Sequence, residues 1–126
     1  MSAPTILSFP ADTAYVALSR TVAASMAALA DLPIDQLEDV RLAVDEAVTQ
    51  VIADAPQDSI VECRFALTGD GLHVEISGAS RSRQVPSSTT FGWTVLSALV
   101  DSVTAGVDDG VLTLTLDITR AVPVHA

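Results

Sequence analysis

Hydrophobic residues recur with two different periods along this chain, and the change of period divides it into helices and strands. After a short strand candidate at residues 5–9, helical spacing runs through residues 11–32 and again through 35–55. Pro33 interrupts the first helical pattern, and Asp35 behind it is expected to be the N-cap of the second helix. The first half of the chain is therefore predicted to be a strand followed by two helices.

Alternation of period two begins near residue 60. Apolar side chains alternate with polar or small ones in "IVECRFAL", and the alternation resumes in "GLHVEIS" after the link "TGDG". A glycine-rich link between two alternating runs predicts a β-hairpin. The following stretch "SGASRSRQVPSSTTFG", residues 77–92, has no period. It predicts a loop long enough to be functional or disordered.

The rest of the chain predicts one more helix and further strands. Helical spacing covers "WTVLSALVDSVTA", residues 93–105, and alternation returns in "VLTLTLDIT" after a turn at Asp109 and Gly110. Strands with one polar face suit a sheet that is open to water on one side and covered by helices on the other. The predicted fold class is α+β: a two-layer α/β sandwich whose sheet is mixed but mostly antiparallel, with three helices on one face. We expect one domain over residues 1–126, with a flexible tail at 121–126.

Composition and charge restrict the possible functions. Hydrophobic residues make up 49% of the 126 residues and the mean hydropathy is +0.45, as expected of a globular chain. A net charge of −10 argues against direct nucleic-acid binding and favours partners with basic surfaces. Cys63 is the only cysteine, so neither an internal disulfide nor a cysteine-based metal site is expected. No apolar run is long enough for a membrane span, and we expect a cytoplasmic protein without a bound metal.

The second helix carries a polar pair on an otherwise small and apolar surface. Glu46 and Gln50 lie one turn apart, beside Leu42, Ala43 and Ala53. A solvated face is seldom so rich in alanine and leucine, which predicts that the pair forms the floor of a partly covered pocket. From spacing alone, two ordinary half-exposed polar side chains remain the alternative. The opposite stripe is expected to pack on the sheet; it comprises Leu37, Val40, Val44, Val48, Val51 and Ala55.

Three segments carry a resemblance to a known family. They are "DVRLAVDEAVTQVIADA", "GDGLHVEIS", and "FGWTVLSALVDSV" followed by "GVLTLTLDIT". Together they resemble the anti-sigma factors of RsbW type, serine kinases of the GHKL (histidine-kinase-like ATPase) superfamily. The resemblance covers nearly the whole chain and implies the histidine-kinase-like ATPase fold.

The resemblance assigns nucleotide-related roles to the polar pair. In the family, a glutamate of the second helix acts as general base, and an asparagine four residues later helps to coordinate the magnesium of Mg-ATP. Glu46 matches the base, whereas Gln50 stands at the asparagine position. Glutamine is longer by one methylene, which displaces the coordinating oxygen beyond what an octahedral magnesium site tolerates. We therefore predict no bound cofactor, with Glu46 vestigial; ATP and magnesium belong to the alternative of an active site.

The adenine-binding motif of the family is altered as well. Where the family has D-x-G-x-G after the strand, this chain has "GASRS". Gly78 stands at the aspartate position, and Ser80 and Ser82 stand at the glycine positions. Glycine offers no side-chain acceptor to the adenine amino group, so that contact is expected to be lost.

The phosphate-binding glycine pair ahead of the third helix is reduced to one glycine. The segment reads "TFGW": Gly92 matches, and Thr90 replaces the other glycine whose amide would contact phosphate. Phe91 and Trp93 beside it are expected to pack in the core. All three motifs are thus altered, while the helix and strand patterns are intact.

The functional expectation follows from the resemblance. It implies an anti-sigma factor that sequesters an alternative sigma factor of stress or sporulation type, is controlled by an anti-anti-sigma antagonist, and forms a homodimer. Arg20 aligns with a basic residue of the family's sigma-facing surface, although a solvated surface arginine is an equal alternative. Arg81 and Arg83, with the hydroxyl-rich run "PSSTT", make the long loop a candidate partner contact or phosphorylation target, or simply a flexible surface loop.

Two other functions remain open from the sequence. The first is an active serine/threonine kinase that phosphorylates the anti-anti-sigma factor with Mg-ATP. The second is an adaptor module that binds another regulator and never a sigma factor.

Overall fold

A computed structural model describes residues 3–121 and contains three α-helices and five strands. The elements in chain order are β1 (Thr5–Pro10), a 3₁₀ turn (Thr13–Tyr15), α1 (Val16–Leu29), α2 (Ile34–Asp54), β2 (Ile60–Leu67), β3 (Gly71–Ala79), α3 (Phe91–Leu99), β4 (Ser102–Asp108) and β5 (Val111–Thr119).

The strands form one sheet in the order β1-β2-β3-β5-β4. Every neighbouring pair is antiparallel, rather than only most of them. The predicted hairpin of β2 and β3 is confirmed: Cys63 lies opposite Ile76, which in turn lies opposite Leu114 of β5. The inward residues of these central strands are buried, whereas their outward neighbours are half-exposed. The predicted two-layer α+β sandwich is therefore confirmed.

Helix α2 is the central element of the helical layer. The valines of its predicted stripe, Val40, Val44, Val48 and Val51, are at most 1% exposed and belong to the same core cluster as the inward strand residues. Burying a branched side chain of this size contributes about 1.5–3 kcal/mol. The stripe therefore determines the rotation of α2 about its axis, and so which of its polar residues face away from the sheet.

The third helix is shorter than its apolar pattern predicts. It ends at Leu99, and Val100 already has an extended backbone, with φ −130° and ψ 164°. Residues 102–108 form β4, which pairs with β5 along its whole length. Val103 thus reaches the core from a strand rather than from a helix face. The spacing of apolar residues over so short a segment does not distinguish a helix from a strand. The segment is a strand because its main chain pairs with β5.

Two other boundaries differ from the sequence prediction. Strand β3 continues through Ala79 into the segment predicted as loop, because Ser77, Gly78 and Ala79 pair with β5. Helix α2 begins at Ile34 with Pro33 as its N-cap, so Asp35 lies in the first turn instead of capping it. An acidic side chain there still interacts favourably with the helix dipole.

The predicted flexible tail covers residues 121–126, of which 122–126 lie outside the described residues. Between residues 3 and 121, no helix has both the length and the apolar character that crossing a membrane requires.

The turn between β2 and β3 provides a test of the close approach of β3 to β5. A Cβ atom on Gly71 would lie 1.8 Å from the carbonyl oxygen of Ile118, whereas one on Gly69 would meet nothing within 4 Å. Gly71→Ala is therefore expected to lower the free energy of unfolding by about 2–4 kcal/mol in chemical denaturation. Gly69→Ala, the matched control two residues away, should change it by less than about 0.5 kcal/mol. Equal effects of the two substitutions would contradict this register.

Candidate functional site

A cavity of about 340 Å³ lies between α2 and the segment that leads into α3. Its size falls within the range of small-ligand sites. Both members of the polar pair predicted as a pocket floor line this cavity, and the full lining comprises Glu46, Gln50, Ala53, Pro86, Ser87, Thr90 and Gly92.

The polar pair is internally hydrogen-bonded and closely covered. Gln50 Nε2 donates to Glu46 Oε2 over 2.9 Å. Gly92 lies directly against both groups, because a Cβ atom there would be 2.7 Å from Gln50 Nε2 and 2.8 Å from Glu46 Oε2. Only glycine allows α3 to approach α2 so closely. The remaining amide oxygen, Gln50 Oε1, is buried without a hydrogen-bond partner.

The first turn of α3 is capped by a side chain. Thr90 is the N-cap; its hydroxyl accepts a hydrogen bond from the Trp93 amide over 3.2 Å and donates to the Ser87 carbonyl over 3.0 Å. This side chain therefore satisfies an amide that would otherwise be free to bind an anion at the helix N-terminus.

The two aromatic residues beside Gly92 have different environments. Trp93 packs against the core as expected, but Phe91 is 83% exposed, so its predicted core packing is wrong. Leu96 faces the core from α3, and Phe91, five residues earlier, lies about 140° around the helix from it. The sequence shows that the residue is aromatic, but the rotation of α3 about its axis determines whether Phe91 faces the core or the solvent.

Gly78 is buried at the far end of β3, under α2. A Cβ atom on it would lie 2.9 Å from Val51 Cγ1 and 3.5 Å from Val61 Cγ2. The volume next to position 78 is thus already filled by side chains of α2 and β2. A residue with a side chain at this position requires the valines to move.

Ser80 and Ser82 are held by a residue that sequence reasoning missed. Asp54, the last residue of α2, accepts hydrogen bonds from the Ser80 hydroxyl, from the Ser82 amide over 3.0 Å and from the Ser82 hydroxyl over 3.0 Å. These contacts join positions 26 and 28 residues apart, so no local spacing reveals them. They anchor the start of the loop onto the end of α2.

The hydrogen bonds also change the acidity of Asp54. Burial raises the pKa of its carboxyl group, but the hydrogen bonds from Ser80 and Ser82 and the charge of Arg81 favour the carboxylate more strongly. The pKa therefore lies below the ordinary value of 3.8. The carboxylate is the form that binds the loop.

The three candidate partner-binding arginines occupy two places. Arg81 is exposed in the anchored loop, with its amide bonded to the Asp54 carbonyl over 2.8 Å and its guanidinium bonded to the Ala53 carbonyl over 3.1 Å. Arg83, also exposed, has a left-handed backbone with φ 56°. Arg20 does not line the cavity; it joins α1 to α2 through an ion pair with Asp45 at 2.7 Å.

Comparison with known proteins identifies the family. A sequence profile of the histidine kinase-like ATPase domain matches residues 9–117. The chain therefore belongs to the histidine kinase-like ATPase domain family.

Its relatives also confirm the resemblance to RsbW-type proteins. Two of them are anti-sigma-F factor RsbW from Mycobacterium tuberculosis, strains CDC 1551/Oshkosh and ATCC 25618/H37Rv. Each is 36% identical over 88 residues, covering 70% of this chain and 52% of the relative. The chain thus spans about half the length of these relatives. A crystal structure of the RsbU and RsbW domains of an M. tuberculosis protein has the same fold, with a TM-score of 0.68 at 21% identity over 97% of this chain and 35% of the other.

The contacts of Asp54 predict how acid affects the loop. Because the folded pKa is lowered, the anchoring is complete at pH values above 3.8 and is lost as the pH falls through the folded pKa below that value. Asp54→Asn removes the charge at all pH values and should reduce the hydrogen-exchange protection of the Ser82 amide by about fivefold near neutral pH. Asp39→Asn, a carboxylate earlier on the same helix, is the control and should leave this protection unchanged. Undiminished protection in Asp54→Asn would show that the loop is held by other contacts.

Proposed function

We propose that this chain is an anti-sigma factor that represses transcription by binding a sigma factor, and that its nucleotide site has degenerated. The observation that carries the proposal is that a core side chain occupies space which a nucleotide-binding residue of the family would need, in a fold that is otherwise intact. Val51 fills the space beside Gly78, where the family resemblance places the adenine-binding aspartate. A domain that keeps the two-layer fold but has lost its nucleotide site can still bind a partner protein through its surface.

The polar pair supports the same proposal. Gln50 uses its amide nitrogen on Glu46, and its amide oxygen is buried. Gln50 Oε1, the oxygen at the magnesium-coordinating position of the family, is therefore not an open ligand of the kind that magnesium requires. The residues present therefore do not fit Mg-ATP in the manner of the family, and we assign no catalytic step to Glu46.

The helix N-terminus supports it as well. Backbone amides at a helix start bind phosphates when they are unsatisfied. Here the hydroxyl of Thr90 occupies the amide of Trp93, and Gly92 is pressed against the polar pair. A phosphate at this position would have to displace the cap and lie close to the carboxylate of Glu46.

The partner proposal rests on the relatives and on charge. The relatives are named anti-sigma-F factors, and a net charge of −10 favours association with basic protein surfaces. We propose that the bound sigma factor is released by an anti-anti-sigma antagonist, that the chain works as a homodimer, and that it acts in the cytoplasm. Without kinase activity, competition between the two partners for this chain is the mode of control.

An active serine/threonine kinase is the second candidate. The observation in its favour is that Glu46, at the general-base position, does line a cavity of about 340 Å³. That function requires Val51 and Gln50 to rearrange around Mg-ATP.

Calorimetric titration with ATP and ADP in the presence of magnesium distinguishes the two candidates. Because three nucleotide contacts are blocked or absent, we expect no binding heat at nucleotide concentrations up to about 1 mM, corresponding to a binding free energy weaker than about −4 kcal/mol. Micromolar binding, together with phosphate transfer that disappears in Glu46→Ala, would establish the kinase and refute the degenerate site.

The contribution of Arg20 to sigma-factor binding can be tested in two ways: by removing its side chain, and by removing its ion-pair partner Asp45. We expect the purified chain to bind one of the sigma factors encoded in its own genome, and Arg20→Ala to weaken that binding by about tenfold, since an interfacial charge pair is lost. Arg20→Ala also breaks the ion pair with Asp45. Asp45→Asn breaks the same pair but leaves the arginine available, so it should bind at least as tightly as the unaltered chain.

The outcomes separate the remaining alternatives. Equal weakening by Arg20→Ala and Asp45→Asn would assign Arg20 to the packing of α1 on α2 rather than to the partner. If the folded chain binds none of those sigma factors, the adaptor function replaces the anti-sigma function.

A further inference from the structure

The cavity over the polar pair has an unusual electrostatic character for a site in a nucleotide-binding family. Its only formal charge is the carboxylate of Glu46, and none of the described lining residues is basic. The hydroxyl of Thr90 is already used in capping α3. The lining therefore attracts a cation and repels a phosphate.

Gln50, which lines the cavity, also carries an acceptor without a donor. Gln50 Oε1 is buried and unpartnered, while Gln50 Nε2 is committed to Glu46. Exchanging the two amide atoms would place an oxygen against the carboxylate, so the observed orientation is the favourable one. A buried acceptor without a partner costs about 1–3 kcal/mol. A donor supplied from outside, after a small movement of the amide, would recover this energy.

No basic side chain of the described residues supplies that donor. The chain contains no lysine, and all six of its arginines lie within residues 3–121. None of them bonds Gln50 Oε1. Arg81 is next to the lining, but its guanidinium bonds the carbonyl of Ala53. The others make different contacts: Arg20 pairs with Asp45, Arg41 with Glu38, Arg64 is opposite Glu75 across β2 and β3, Arg83 lies beside Gly110, and Arg120 bonds the Ala30 carbonyl.

Apolar residues form part of the cavity wall and flank its lining residues in the chain. Ala53 and Pro86 form part of its wall, and Phe91, the most exposed large apolar residue described, lies in the chain between the lining residues Thr90 and Gly92. Val85, next to Pro86, is 51% exposed. Such a surface suits the aliphatic stem of a long basic side chain, and an exposed phenyl ring attracts a guanidinium through its face.

We propose that this cavity binds an arginine side chain of a partner protein. The guanidinium has several donors in a fixed fork, which can serve the carboxylate of Glu46 and the carbonyl oxygen of Gln50 together. The stem packs against the apolar rim, and the net charge of −10 steers a basic surface toward the site. This inference goes beyond the proposed function, because it concerns the chemistry of the cavity and does not depend on which partner carries the arginine.

A titration of the isotope-labelled chain with N-acetyl-arginine amide, followed by NMR, tests the proposal. The matched probe is N-acetyl-citrulline amide, which has nearly the same shape but no charge. We expect the arginine probe to shift the resonances of the Gln50 side-chain amide and the Gly92 backbone amide saturably, with a dissociation constant on the order of millimolar, as befits a single side chain. The citrulline probe should shift them far less at the same concentration.

Two variants with the same change in net charge complete the test. Glu46→Gln removes the carboxylate of the cavity and should weaken binding of the arginine probe by at least about fivefold. Glu62→Gln removes a carboxylate from the outer face of β2 and should leave binding unchanged. An otherwise unaltered spectrum of Glu46→Gln establishes that this variant is folded.

Three results would overturn the proposal: equal binding of the citrulline probe, equal weakening by the two variants, or no saturable shift at tens of millimolar probe. If Mg-ADP but not the arginine probe shifted these resonances, the cavity would instead be a nucleotide site. A failure to find a sigma partner leaves this titration unaffected, so the two proposals can fail separately.

Discussion

The packing of the α2 valine stripe on the sheet is the interaction on which the rest of the molecule depends. Val40, Val44, Val48 and Val51 are almost completely buried, so α2 has one rotation about its axis. That rotation turns the polar pair, Glu46 and Gln50, toward α3. It also turns Asp54, the last residue of the helix, toward the start of the loop, which Asp54 holds. The cavity and the anchored loop are thus both consequences of a single hydrophobic contact.

The same contact bears on the nucleotide site. Val51 anchors the end of α2 by filling the space beside Gly78, and that space is the one in which the family resemblance places an aspartate. The packing of Val51 and an aspartate at position 78 would therefore compete for one volume. This competition supports the proposed loss of the nucleotide site.

The charge of the surface supports the proposed recognition of proteins rather than of phosphates. Glu46 makes the cavity negative, Phe91 gives it an exposed aromatic neighbour, and the net charge of −10 favours basic partners over polyanions. Arg20, Arg81 and Arg83 are the few basic groups near candidate contact surfaces, and Arg20 is partly neutralised by Asp45. Partner binding through complementary charge connects the proposed anti-sigma function with the proposed arginine site.

The sequence by itself determined the layers, the hairpin, the buried stripe of α2 and the position of the polar pair, because periodic burial leaves a local pattern. It did not determine where α3 ends, since Val100 and Val103 fit a helix face or a strand until β5 pairs with β4. Nor did it reveal Asp54 as the anchor of Ser80 and Ser82, or the exposure of Phe91. Those features arise from contacts between residues far apart in sequence and from the rotation of whole helices, which only the tertiary structure decides.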